Sequence, residues 1–109
     1  MIKRPSSKAV PAVFLDRDGT IIEDRGYLSD PSDVVFFDDT VPALRRLAEH
    51  FMLFMVTNQA GVADGTITLR DVDRVNAHVV SYLASHGIPI AATYVCPHAR
   101  SSFIWGIEC

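Results

Sequence analysis

The chain has 109 residues, is 49% hydrophobic and carries a net charge of −3, which fits one small domain. Ten basic residues stand against thirteen acidic ones with no basic cluster, so nucleic acid is excluded as the expected partner. Apolar runs of only about five residues cannot span a bilayer, and the basic start Met1-Ile2-Lys3-Arg4-Pro5 lacks the apolar stretch of a secretory signal; no membrane partner and a cytoplasmic location are expected.

Residues 1–9, with Pro, Ser and Lys and no periodicity, read as a flexible leader, and 10–109 as part of a single domain. Ala12–Leu15 is a short, wholly apolar strand of the kind covered on both faces. It runs straight into Asp16-Arg17-Asp18-Gly19-Thr20. Two carboxylates two residues apart, where a strand meets a glycine turn, suit phosphoryl transfer through an aspartyl phosphate: one attacks phosphorus and its neighbour handles the proton. An acidic turn that only closes its own backbone is the simpler alternative.

The stretch from Gly19 to Asp38 is rich in Asp, Gly and Pro and should form turns arching over the strand end, with a small hairpin. Thr40 can cap a helix whose apolar positions Val41, Leu44, Leu47 and Ala48 recur every three or four residues. Phe51–Val56 is a second apolar strand ending in Thr57-Asn58-Gln59. Thr68, with Asp71 three residues on, opens a second helix with a buried stripe of Leu69, Val72, Val75, Val79 and Tyr82 or Leu83, stopped by Gly87. Ala91–Val95 is a third strand running into Cys96-Pro97-His98.

Strand, helix, strand, helix, strand predicts parallel β-α-β units, hence an α/β, Rossmann-like sheet with helices on both faces. Ligands bind at the carboxyl ends of parallel strands, where Asp16/Asp18, Thr57-Asn58-Gln59 and Cys96/His98 all fall. The Thr57 hydroxyl and nearby backbone N–H groups are read as holding phosphate oxygens. Two cysteines make no disulfide framework; a thiolate and an imidazole on one short loop are good zinc ligands, although Cys-x-His by spacing alone is more often incidental than metallic.

Val-Phe-Leu-Asp-Arg-Asp-Gly-Thr (13–20) followed by Val56-Thr57-Asn58-Gln59 resembles the haloacid-dehalogenase-like phosphohydrolases. Arg25-Gly26-Tyr27-Leu28, Gln59-Ala60-Gly61-Val62-Ala63 and Cys96-Pro97-His98 resemble the branch holding the heptose-bisphosphate and histidinol-phosphate phosphatases. The resemblance implies Asp16 as nucleophile and magnesium ligand. Asp18 would be general acid/base and give its carbonyl to the magnesium. Asp24, Arg25, Gly26 and Tyr27 would enclose a small phosphorylated sugar, and Thr57, Asn58, Gln59 and Ala60 would bind the phosphoryl group and substrate. Cys96, His98 and Cys109 match part of a structural zinc loop. Asp64 stands where the heptose branch typically has arginine.

The implied activity is hydrolysis of a sugar phosphate monoester, best matched by the 7-phosphate of heptose 1,7-bisphosphate. Histidinol phosphate is the alternative substrate, and a non-catalytic remnant the alternative class. The family's phosphate-neutralising lysine and last magnesium-binding aspartate have no position in 109 residues, nor do its further C-terminal strands. Weak or no activity of this polypeptide alone, and self-association through an exposed first-strand edge, are therefore expected.

Overall fold

The computed structural model describes residues 9–98; Cys109, in the expected zinc set, lies outside them. Three parallel strands, β1 (Ala12–Asp16), β2 (Met52–Asn58) and β3 (Ile90–Cys96), form one sheet in the order β1-β2-β3. Helix α1 (Thr40–Ala48) links the first pair; a short α2 (Ala60–Ala63) and a long α3 (Leu69–Ser85) link the second. The sheet register sets Asp16 beside Val56, and Asn58 beside Cys96, so the three polar clusters share one sheet edge. Among the described residues, β1 lies at an outer edge of the sheet.

Right-handed crossovers between neighbouring strands carry both long helices to the same face. The core agrees: Leu53 and Met55 of β2 are buried with Leu44 of α1 and Val75, Val79 and Leu83 of α3. The opposite face carries the stacked rings of Phe14 and Phe54, centroids 4.8 Å apart, with Tyr94 beside them. Phe14 is 59% exposed and Tyr94 52%. The second helical layer expected against β1 has no counterpart among the described residues.

Local chemistry explains most element ends. Thr68 and Asp71 form a reciprocal capping box, the threonine hydroxyl accepting from the Asp71 N–H and the Asp71 carboxylate from the Thr68 N–H, both at 3.0 Å. At the other end of α3, Gly87 takes a positive φ of 78°, and the Ile88 N–H returns to the Leu83 carbonyl.

Three expectations are corrected. Thr40 is not the cap of α1; Asp39 takes that position, and the buried Thr40 hydroxyl donates instead to the Ile21 carbonyl at 2.7 Å, tying the helix to the loop after β1. Leu69 is exposed, because the first helical residue lies beyond the edge of the sheet-facing stripe. The Gly19–Asp38 segment makes isolated bridges, Asp18 with Ile22 and Ile22 with Phe36, and a single 3₁₀ turn at Pro31–Asp33 rather than a hairpin. Its Ile21, Ile22 and Leu28 enter the core and hold the segment over the strand end. Among the described residues, no helix is long and apolar enough to cross a membrane.

Candidate active site

Alternation along β1 decides where the two acids stand. Ala12, Phe14 and Asp16 face the open side, while Val13, Leu15 and then Arg17 turn toward the helices. Asp16 therefore ends the strand with an exposed carboxylate, and Arg17 is fully buried directly beneath the site. After one more residue Gly19, at φ 83°, turns the chain away in a conformation that side chains with a Cβ resist.

Asp18 is the best-held carboxylate. The Arg17 guanidinium forks it, with Nε donating to Oδ1 and Nη2 to Oδ2, each at 3.1 Å. The Gln59 amide donates to Oδ2 at 3.0 Å and the Thr57 hydroxyl at 3.4 Å. Gln59 also donates to the Thr57 hydroxyl, so these two buried side chains from the end of β2 act as one bracket. The Gln59 N–H donates to the Cys96 carbonyl at 2.7 Å, which fixes the bracket against β3.

Asp16, Arg17, Asp18, Thr57, Asn58 and Gln59 line an open cleft of about 280 Å³, to which Asp24, Gly26 and Tyr27 add a further wall. Asp24 accepts from the Gly26 N–H at 3.2 Å and shapes that wall. The Tyr27 ring rests on Gly61, where a Cβ would lie 2.8 Å from the ring. Only glycine lets the ring sit there. Arg25 turns to Glu23 at 3.4 Å instead, and Ala60 begins α2 outside the cleft lining. Next to Tyr27, the Thr66 hydroxyl and N–H hold the Asp64 carboxyl below the usual range, so a full negative charge stands there at neutral pH.

Two side chains that support the cleft are not among the expected site residues: Arg17 and Asn76. The buried Asn76 of α3 accepts from Arg17 Nη1 at 2.8 Å. Both leave a sequence signal, an arginine at a core-facing strand position and a polar residue inside an apolar helical stripe.

A phosphate dianion entering this cleft meets Asp16, Asp18 and Asp24, with Arg17 already committed to Asp18. At ~4 Å and an effective dielectric near 20, each like-charge contact opposes binding by about 4 kcal/mol, so a cation is needed. The Asp16 carboxylate and Asp18 peptide carbonyl are the hard oxygen donors that magnesium takes. Among the described residues no three His, Cys, Asp or Glu side chains gather to hold a metal. Cys96 and His98 come near one another, Sγ to Nδ1 3.9 Å, and a cysteine thiolate and an imidazole are ligands that zinc takes.

No protein-family model matches the chain. It is 37% identical over 93 residues to the probable D-glycero-D-manno-heptose-1,7-bisphosphate 7-phosphatase of Thermoplasma acidophilum, covering 84% of this chain and 58% of that protein. It is 39% identical over 93 residues to the D-glycero-beta-D-manno-heptose-1,7-bisphosphate 7-phosphatase of Escherichia coli K12, covering 84% and 49%. Among solved structures, a putative HAD-like phosphatase from Mesorhizobium loti aligns with a TM-score of 0.79 and 30% identity, over 100% of this chain and 53% of that one. The D,D-heptose 1,7-bisphosphate phosphatase of B. bronchiseptica, complexed with magnesium and phosphate, has the same fold with a TM-score of 0.78 at 24% identity, over 87% and 54%. The chain spans about half the length of the curated relatives it matches. Across that span the chain is similar in sequence to D-glycero-D-manno-heptose-1,7-bisphosphate 7-phosphatases and similar in fold to a putative HAD-like phosphatase.

Proposed function

We propose that these residues form the phosphoryl-accepting part of a sugar-phosphate phosphatase acting on the 7-phosphate of D-glycero-D-manno-heptose 1,7-bisphosphate. The observation that carries the reading is the convergence of an exposed Asp16, a firmly held Asp18 and the Thr57–Asn58 strand end on one cleft. The 7-phosphatase relatives at 37% and 39% identity support the substrate class.

In the first step an Asp16 carboxylate oxygen bonds to phosphorus. The bond from phosphorus to the sugar oxygen breaks, and that oxygen takes a proton from Asp18. In the second step water attacks phosphorus, passing its proton to Asp18, and the Asp16–phosphorus bond breaks to regenerate the carboxylate. With phosphate bound, the Thr57 hydroxyl turns its proton from Asp18 to a phosphoryl oxygen beside Asn58, and Asp24 and Tyr27 enclose the sugar. Magnesium, held by Asp16 and the Asp18 carbonyl, would supply positive charge against the transferred group. Zinc at Cys96 and His98 also belongs to the proposal, and the cytoplasm, where thiols stay reduced, is the proposed location.

Phosphate release from heptose 1,7-bisphosphate and from histidinol phosphate, with excess magnesium, tests the substrate. The expected result is a preference for the heptose, however slow the turnover of this polypeptide. Preference for histidinol phosphate would reassign the substrate, and release from neither would favour a non-catalytic phosphate-binding role.

Partnering is also part of the proposal. The outer edge of β1, which pairs with no further strand among the described residues, and the exposed Phe14 and Tyr94 beside Phe54 support self-association of this polypeptide. Sedimentation velocity should find dimers or larger species that grow with concentration; a single monomeric boundary at all concentrations would contradict it.

A further inference from the structure

Arg17 occupies a position that strand alternation reserves for the core, and it is fully buried there. A guanidinium left uncompensated in such a place is strongly disfavoured, so every partner it has matters. One end is fixed to Asn76 of α3, Nη1 to Oδ1 at 2.8 Å. Because a guanidinium has no acceptor, Asn76 must present its oxygen. The other end forks Asp18, reaching both carboxylate oxygens at 3.1 Å. The planar fork converts a fixed guanidinium into a fixed carboxylate plane. Arg17 cannot reach the cleft as a free cation while it does so.

We propose that Asn76 and Arg17 are positioning residues that aim the Asp18 carboxyl at the leaving oxygen. The inference rests on the phosphatase reading above and adds a support running from helix α3 through the core to the general acid. Its consequence depends on the leaving group. A sugar alkoxide needs the proton that Asp18 delivers, so misalignment of Asp18 slows transfer from a sugar phosphate. Acetate, leaving from acetyl phosphate, needs no proton near neutral pH, so transfer from that donor to Asp16 does not depend on Asp18.

The test is single-turnover phosphorylation of the full chain with excess magnesium, read by intact mass, using heptose 1,7-bisphosphate and acetyl phosphate in parallel. In Asn76→Ala, labelling by the sugar phosphate should fall about 100-fold, the lower range of a general acid's contribution, while labelling by acetyl phosphate stays within about threefold. Asn76→Asp, which keeps an acceptor of the same shape, should restore the sugar-phosphate rate. Arg17→Lys keeps the charge but loses the fork, and should show the same uneven loss; it carries the test should Asn76→Ala not fold. Equal loss with both donors, or no loss with either, would overturn the positioning role while leaving the phosphatase reading intact. Failure of the unsubstituted chain to accept phosphate from either donor would overturn this inference; because weak or no activity of this polypeptide alone is already expected, it would leave the phosphatase reading of the cleft in place.

Discussion

Asp16→Asn should reduce phosphate release roughly a thousandfold or more, the order lost when a covalent nucleophile is removed. The substitution is nearly isosteric, and Asp16 is exposed at the end of β1, so the fold should not respond. Thermal unfolding of the variant should match the parent within about 0.5 kcal/mol, as for a surface change outside special contacts. Loss of turnover with unchanged stability separates a nucleophile from a structural acid in a strand-end turn. Turnover near the parental rate would place the chemistry elsewhere.

Leu83→Ala should have the largest effect on stability. Leu83 is fully buried in the last turns of α3, within the cluster that includes Leu53, Met55 and Val79. Truncating it removes apolar surface from the layer that holds β2, and a single layer of helices has little freedom to collapse into the cavity. The expected cost is about 3 kcal/mol, measurable as a lower urea midpoint at constant slope. Leu69→Ala is the matched control: at 49% exposure that side chain fills no core, and the cost should stay below about 0.5 kcal/mol. Equal costs at the two positions would mean that the stripe of α3 lies elsewhere than in this structure.

Much of this architecture is legible in the sequence because its signals are local. The apolar runs at 12–15, 51–56 and 91–95 and the capping pair Thr68/Asp71 each lie within a few residues, and each marks an observed element. Asp16 and Asp18 are readable for the same reason, since strand end and glycine turn adjoin in the chain. What the sequence hides depends on depth rather than spacing. The run Ala12–Leu15 reads as a strand covered on both sides, yet Phe14 is exposed, because composition does not say which face has a partner. Thr40 has a capping residue's chemistry, but the Ile21 carbonyl, 19 residues away, claims its hydroxyl. The Arg17–Asn76 contact spans 59 residues and joins two positions whose polarity disagrees with their place in an apolar pattern. Such local disagreement is the residue-level sign that a site sits above the core.

Asp16 and Asp18 have unequal surroundings, which suit the unequal roles proposed for them. Asp16 stands open toward the cleft, whereas Asp18 is gripped by Arg17, Gln59 and Thr57. A nucleophile needs access to phosphorus in line with the departing oxygen; a proton carrier needs a fixed direction. The two residues are two positions apart in sequence, and the turn between them produces the difference.

The most direct measurement is chemical identification of the phosphorylated residue. The chain is incubated with magnesium and a phosphoryl donor, quenched in acid and reduced with borohydride, which converts an aspartyl phosphate to homoserine. Peptide sequencing should then find homoserine at position 16 and aspartate at position 18. Homoserine at 18, or aspartate retained at both positions under conditions in which phosphate is released, would contradict the account.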